Sequence, residues 1–157
     1  MIRELYRASL DGVPIVLNVR GLCCLRAGVP GLSPTISVYS TLGRFLEHSR
    51  IYRFENGGAP EYFLGSADWM TRNLSRRMET VAPVCDPAIQ SQLEDILRIY
   101  DEDNCSAWDM RPDGEYVRRH PVPGEARRGA QQVFIECSRS ASPGRLRRRS
   151  RSWRGQG

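Results

Sequence analysis

The run Pro14-Ile15-Val16-Leu17-Asn18-Val19 constrains the fold more than any other stretch of the chain, because it is nearly all apolar and rich in β-branched side chains. A run without polar alternation suits a strand buried on both faces of its sheet. That needs covering layers on either side, and so points to an α/β domain. The strand ends in Arg20-Gly21, and the polar end of a buried strand is where ligands settle in open α/β sheets. Arg20 is therefore a candidate binding residue, with a surface ion pair to an acid as the alternative.

Other elements follow from pattern. Ile2, Leu5, Tyr6 and Leu10 make a helical stripe that Gly12 can end. Met1 enters that helix with no capping residue, the pattern of a chain that begins inside a domain. Residues 23–34 read as an ordered loop. Strands are expected at Thr35–Ser40, His48–Glu55, Glu61–Ala67 and Met78–Val84, with Asn56-Gly57-Gly58 as a hairpin turn between the second and third. Asp86-Pro87 starts a helix whose Ile89, Leu93, Ile96, Leu97 and Tyr100 share one face. A small hairpin around Arg111–Gly114 and a final helix within Glu125–Cys137 complete the domain.

The chain has 157 residues, enough for one domain, or one domain and a tail. Its 23 basic residues are all arginine, and its histidines are His48 and His120 alone. A Walker phosphate loop, a Schiff-base lysine and a His-x-x-x-His zinc site are thereby excluded. The formal charge of +5 is unevenly placed: residues 138–157 carry seven arginines and no acid, whereas residues 1–137 carry sixteen arginines against eighteen acids. From Ser138 the Arg/Ser/Gly/Pro composition cannot bury a core, so 138–157 is expected to be a disordered tail, and its abrupt onset suggests a frameshift or run-on translation. Five cysteines without a C-x-x-C pair read as reduced thiols of a cytosolic protein and argue against a metal site. No apolar run is long enough to span a bilayer.

His48 and Arg50 are two apart on an expected strand, which would place both on one face, and an imidazole beside a cation suits a phosphoryl group. The alternative is a hydrogen-bonded edge or core histidine next to a solvated arginine. From residues alone the chain is an α/β domain with a candidate anion site. His48-x-Arg50, then Glu55, then Gly65-Ser66-Ala67-Asp68 is a degenerate form of the H-x-K-x4-D and G-S-x-N arrangement of the phospholipase D superfamily, with lysine replaced by arginine and aspartate by glutamate.

A closer resemblance rests on longer blocks: Leu17-Asn18-Val19-Arg20-Gly21-Leu22-Cys23-Cys24-Leu25, Val29-Pro30-Gly31-Leu32-Ser33, Gly43-Arg44-Phe45-Leu46-Glu47-His48-Ser49-Arg50-Ile51-Tyr52, Glu55-Asn56-Gly57-Gly58 and Gly65-Ser66-Ala67-Asp68-Trp69-Met70-Thr71-Arg72-Asn73. Together with Asp113-Gly114 and Tyr116-Val117-Arg118-Arg119, these blocks resemble the C-terminal domain of bacterial polyphosphate kinases over residues 1–137. The resemblance implies a phospholipase-D-like α/β domain with a mixed sheet flanked by helices, truncated at its N-terminus.

It further implies reversible transfer of the terminal phosphate of ATP to inorganic polyphosphate through a phosphohistidine, with Mg2+ required. Arg20 and His48 match the family's nucleotide- and phosphate-contacting residues, His48 with a catalytic part, and Arg50 is a third phosphate contact on the same face. Arg72 and Asn73 are expected to support the site or to have a structural role, and His120 to be surface. The phosphorylated histidine and the Mg2+ ligands belong to the preceding domain, and none is expected in this chain. Implied partners are ATP or ADP, polyphosphate, and the N-terminal, helical and first phospholipase-D-like domains of a homo-oligomeric enzyme, with no specific nucleic acid. The implied location is cytoplasmic, either free or membrane-associated. The competing functions are a phospholipase-D-like phosphodiesterase using His48 as nucleophile, and a non-enzymatic polyanion-binding module driven by the arginine tail.

Overall fold

A computed structural model describes residues 1–140. Its elements, in chain order, are α1 (Ile2–Leu10), β1 (Ile15–Asn18), β2 (Ile36–Thr41), β3 (Ile51–Phe54), a 3-10 turn at Asn56–Gly58, β4 (Glu61–Gly65), α2 (Thr71–Arg76), β5 (Val81–Pro83), α3 (Pro87–Asp101), β6 (Ala107–Met110), β7 (Tyr116–Arg118) and α4 (Ala130–Ser140). The architecture is α/β with a mixed sheet and flanking helices, as expected. The four-stranded sheet has the order β1-β2-β6-β7, with β1 and β2 parallel and the other pairs antiparallel. A second, three-stranded antiparallel sheet has the order β3-β4-β5.

Strand period explains how the four-stranded sheet is covered. Ile36 and Val38 on β2 face one side and join Leu25 and Ala27 of the long loop, with Leu5, Tyr6, Ile15 and Leu17 packed around them. Tyr39, the residue after Val38, faces the other side and meets Tyr100 of α3, Ala107 and Ala130 of α4. The loop 23–34 is ordered because it carries part of the first core, and Ser33 in it is fully buried, its hydroxyl accepting from Val29 N at 3.1 Å.

Several expectations change. The 14–19 run is not buried on both faces: β1 is an edge strand, its residues alternate, and Val16 is 59% exposed. Apolar composition there reflects one packed face plus an uncovered one. His48 and Arg50 lie before β3 in irregular chain, so a shared strand face does not relate them. The expected strand at 78–84 shrinks to Val81–Pro83, and a short helix, α2, precedes it. The last helix begins at Ala130 and continues to Ser140, so residues 138–140 are helical where disorder was expected; the rest of that expected tail, 141–157, lies outside the described residues. Asp86 caps α3 as its sequence requires, Oδ1 accepting from Ala88 N at 2.8 Å and Ile89 N at 3.3 Å. Among the described residues no helix is long and apolar enough to cross a membrane.

The second sheet meets α3 through polar contacts. Tyr62 OH donates to Glu94 Oε2 at 2.6 Å, and Arg53 Nε lies 2.8 Å from the same oxygen. Both sheets thus lean on α3, and the segment joining them, residues 42–50, carries His48.

Candidate functional site

Three separate pieces of chain converge at one carboxylate. Arg20 follows β1, Arg50 precedes β3, and Asp68 sits in the turn after β4. Arg20 Nη2 lies 3.2 Å and Arg50 Nη2 2.8 Å from Asp68 Oδ1. The pairs are partly shielded, with side-chain exposures of 31% for Arg20, 14% for Arg50 and 29% for Asp68. Burial opposes the charge on Asp68, but the Arg50 hydrogen bond and the charges of Arg50 and Arg20 outweigh it and hold this carboxyl below its usual range.

His48 joins through Arg50. Arg50 Nη1 donates to the His48 carbonyl oxygen at 2.9 Å and lies 2.6 Å from Nδ1 of the ring. The same nitrogen is 3.2 Å from Nε2. The Arg50 guanidinium thus packs against the His48 imidazole within reach of both ring nitrogens, and the tautomer sets which of them accepts. His48 is exposed. All three sequence candidates, Arg20, His48 and Arg50, are therefore brought together, although not by the strand face that suggested the last two. Arg20 also has the acid partner of its alternative reading.

The turn bearing Asp68 is braced from below. Ser66 Oγ donates to Glu79 Oε2 at 2.6 Å and accepts from Thr80 N at 3.0 Å. Asn73 Nδ2 donates to Glu79 Oε1 at 2.8 Å, which places buried Asn73 in a supporting position, while its Oδ1 has no hydrogen-bond partner among the described residues. Hydrogen bonds from Ser66 and Asn73 lower the Glu79 carboxyl below its ordinary value. Arg72 is exposed and makes no ion pair among the described residues, and His120 is exposed as expected. Glu55, the acid of the degenerate phosphodiesterase pattern, pairs with Arg53 at 2.7 Å rather than with His48.

Sequence reasoning did not give Asp68 a role. Its signal was an acid where the G-S-x-N pattern has an amide, next to more arginine than the motif requires. Glu47 and Gln131 were missed for lack of any local signal: Gln131 Nε2 donates to Glu47 Oε1 at 2.5 Å, across 84 positions, and Tyr100 OH donates to the other oxygen of Glu47.

Among the described residues no three His, Cys, Asp or Glu side chains converge to hold a metal ion, and the carboxylate at the site is already shared by two guanidinium groups.

Residues 1–131 match the family model described as polyphosphate kinase C-terminal domain 2. A polyphosphate kinase of Thermosynechococcus vestitus is 56% identical over 135 residues, which cover 86% of this chain and 18% of that protein. One of Streptomyces coelicolor is 50% identical over 135 residues, covering 85% and 18%. The crystal structure of polyphosphate kinase from Porphyromonas gingivalis matches with a TM-score of 0.83 and 42% identity over 88% of this chain and 21% of that one. The chain spans about a fifth of the length of the curated relatives it matches.

Proposed function

This chain belongs to the polyphosphate kinase C-terminal domain family, and from that premise we propose that it supplies the phosphate-gripping half of an ATP:polyphosphate phosphotransferase site. The observation that supports this reading is the convergence of Arg20, Arg50 and His48 on and around Asp68. Among the described residues Arg20 is engaged through Nη2, which leaves its other N–H donors for non-bridging phosphate oxygens. His48 donates a ring N–H toward charge on the transferred group or on departing ADP. Arg50 adds positive charge while fixing the ring.

In this reading the nucleophilic histidine and the ligands of the required Mg2+ lie in domains preceding this one, which with this chain form a cytoplasmic homo-oligomeric enzyme. A neutral imidazole nitrogen there attacks the γ-phosphorus as the bond to the ADP oxygen breaks. The terminal oxygen of polyphosphate then attacks the same phosphorus and releases the imidazole. An N–P bond keeps high transfer potential, so the sequence runs in either direction.

The test is an enzyme assembled from this chain and the preceding domains of the Thermosynechococcus vestitus relative, assayed for polyphosphate made from ATP. Arg20→Ala and His48→Ala are each expected to lower turnover by about a hundredfold, a loss of charge-stabilising contacts of a few kcal/mol. Near-normal turnover in both variants would reject the assignment.

A further inference from the structure

Two arginines drawn to one point repel each other unless an anion lies between them. Asp68 Oδ1 is that anion, shared by Arg20 Nη2 at 3.2 Å and Arg50 Nη2 at 2.8 Å. The carboxylate is not free to wander. Ala67 beside it is buried, and Trp69 on its other side stacks on Tyr52 with ring centroids 5.4 Å apart and planes 8° from parallel. Trp69 Nε1 also donates to Tyr52 OH at 3.1 Å.

The donors of Arg50 are spent unevenly. Nη1 donates to the His48 carbonyl and lies against its ring, and Nη2 serves Asp68, so one planar group spans from carboxylate to imidazole. Arg20, by contrast, is held at one corner among the described residues.

We propose that Asp68 is a positioning residue of the phosphate site: its shared oxygen sets the spacing of the Arg20 and Arg50 guanidinium groups and, through Arg50, the orientation of His48. This rests on the anion-site reading above and adds to it a residue of the same charge as the ligand. The sign of its effect separates the two roles such a residue can have. A carboxylate that only competes with phosphate weakens binding, and neutralising it tightens the site. A carboxylate that positions the arginines strengthens binding, and neutralising it loosens the site although the net positive charge rises.

The experiment uses the 157-residue chain with inorganic tripolyphosphate as probe. Binding is followed by NMR through the His48 ring and the Trp69 indole N–H, local reporters that the C-terminal arginines do not carry. Asp68→Asn is expected to weaken binding about fivefold, the scale of two partly exposed ion pairs. Asp68→Glu keeps the carboxylate and is expected to recover part of the loss. Arg50→Lys, which keeps the charge but lacks the planar fork, is expected to weaken binding and to shift the His48 ring resonances in the unliganded chain. Unchanged or tighter binding by Asp68→Asn overturns the positioning role, as does an Arg50→Lys variant that binds and resonates like wild type. Arg20→Ala reports on the underlying reading. If it binds as wild type does, or if wild type shows no binding at these reporters, the anion site itself is wrong and this inference falls with it. If Arg20→Ala loses binding while Asp68→Asn keeps it, only this inference falls.

Discussion

Gln131 on α4 closes a two-way amide ring with Phe45, its Nε2 donating to the Phe45 carbonyl at 2.8 Å and its Oε1 accepting from the Phe45 N–H at 2.9 Å. The same Nε2 reaches Glu47 Oε1 at 2.5 Å, one residue before His48, and Tyr100 of α3 donates to the other Glu47 oxygen. Burial, and then that hydrogen bond to a carboxylate, push the Tyr100 hydroxyl well above its ordinary pKa, so it stays a donor across the working pH range. Residues 42–50 have no helix or ladder of their own beyond β2, so these bonds substitute for secondary structure. Gln131→Ala is expected to speed amide exchange at Phe45 about tenfold, corresponding to 1–2 kcal/mol of local stability, with a fall of only a few degrees in Tm. It is also expected to weaken tripolyphosphate binding at His48. A Phe45 amide that exchanges as slowly as in wild type would show that this loop is held by something else.

Much of this arrangement was legible in the sequence, and the remainder divides by range. Asp86-Pro87 and the stripe from Ile89 to Tyr100 encode α3 locally, and the structure follows them from Pro87. Asn56-Gly57-Gly58 encodes its turn in the same way, with Gly57 at φ 64°. At 14–19 composition reports that a strand is apolar but not how many of its faces are covered, and the residues of β1 alternate, with Val16 on the uncovered face. Arg20, His48 and Arg50 were legible through the resemblance. The residues that hold them were not, since Gln131 with Phe45 and Asp68 with Arg20 are pairs 86 and 48 positions apart. Two-residue spacing points to a shared strand face for His48 and Arg50, whereas they meet through a folded-back guanidinium in irregular chain.

A cap remote from the site separates stability from function. Asp86 Oδ1 accepts from two otherwise orphaned backbone donors at the start of α3. Asp86→Ala is expected to cost about 1 kcal/mol in urea unfolding and to leave tripolyphosphate binding within twofold of wild type. A larger loss of binding than of stability would place α3's first turn in the site.

Asp103 is 1% exposed, and five donors surround it. Oδ1 accepts from Cys105 N at 3.0 Å, Ser106 N at 2.7 Å and Ala107 N at 3.1 Å, while Oδ2 accepts from Ala130 N at 2.8 Å and from Ser106 Oγ. It thereby ties the end of α3 to β6 and to the start of α4, which carries Gln131. Burial raises its carboxyl pKa, but the hydrogen bonds from Ala130 and Ser106 prevail and hold it below the ordinary value. Because the folded value is depressed, this stabilisation is complete above the unfolded carboxyl pKa of about 4 and is lost as pH falls through the folded value. Asp103→Asn turns an acceptor toward buried N–H groups into a donor, and is expected to cost about 3 kcal/mol at pH 7. Urea unfolding between pH 7 and pH 3 is expected to show wild type losing its advantage over Asp103→Asn below about pH 4. A constant difference across that range would mean that the charge of Asp103 contributes nothing.

Gly65 closes β4 directly under the Asp68 turn, and its conformation is not what requires glycine there. A Cβ at this position would lie 2.9 Å from Tyr52 Cε2 and 3.2 Å from its hydroxyl. Tyr52 cannot yield easily, because its ring stacks on Trp69 and its hydroxyl donates to Ala67 O at 3.4 Å while accepting from Trp69. Gly65→Ala therefore pushes on the residues at either side of Asp68 in one step. The expected cost in stability is about 1 kcal/mol, since Ala suits a strand better than Gly and offsets part of the overpacking. The local effect is expected to be larger: a shifted Trp69 indole resonance, and tripolyphosphate binding weakened as in Asp68→Asn. An unshifted indole with unchanged binding would mean that Tyr52 moves aside freely and that the turn does not depend on it.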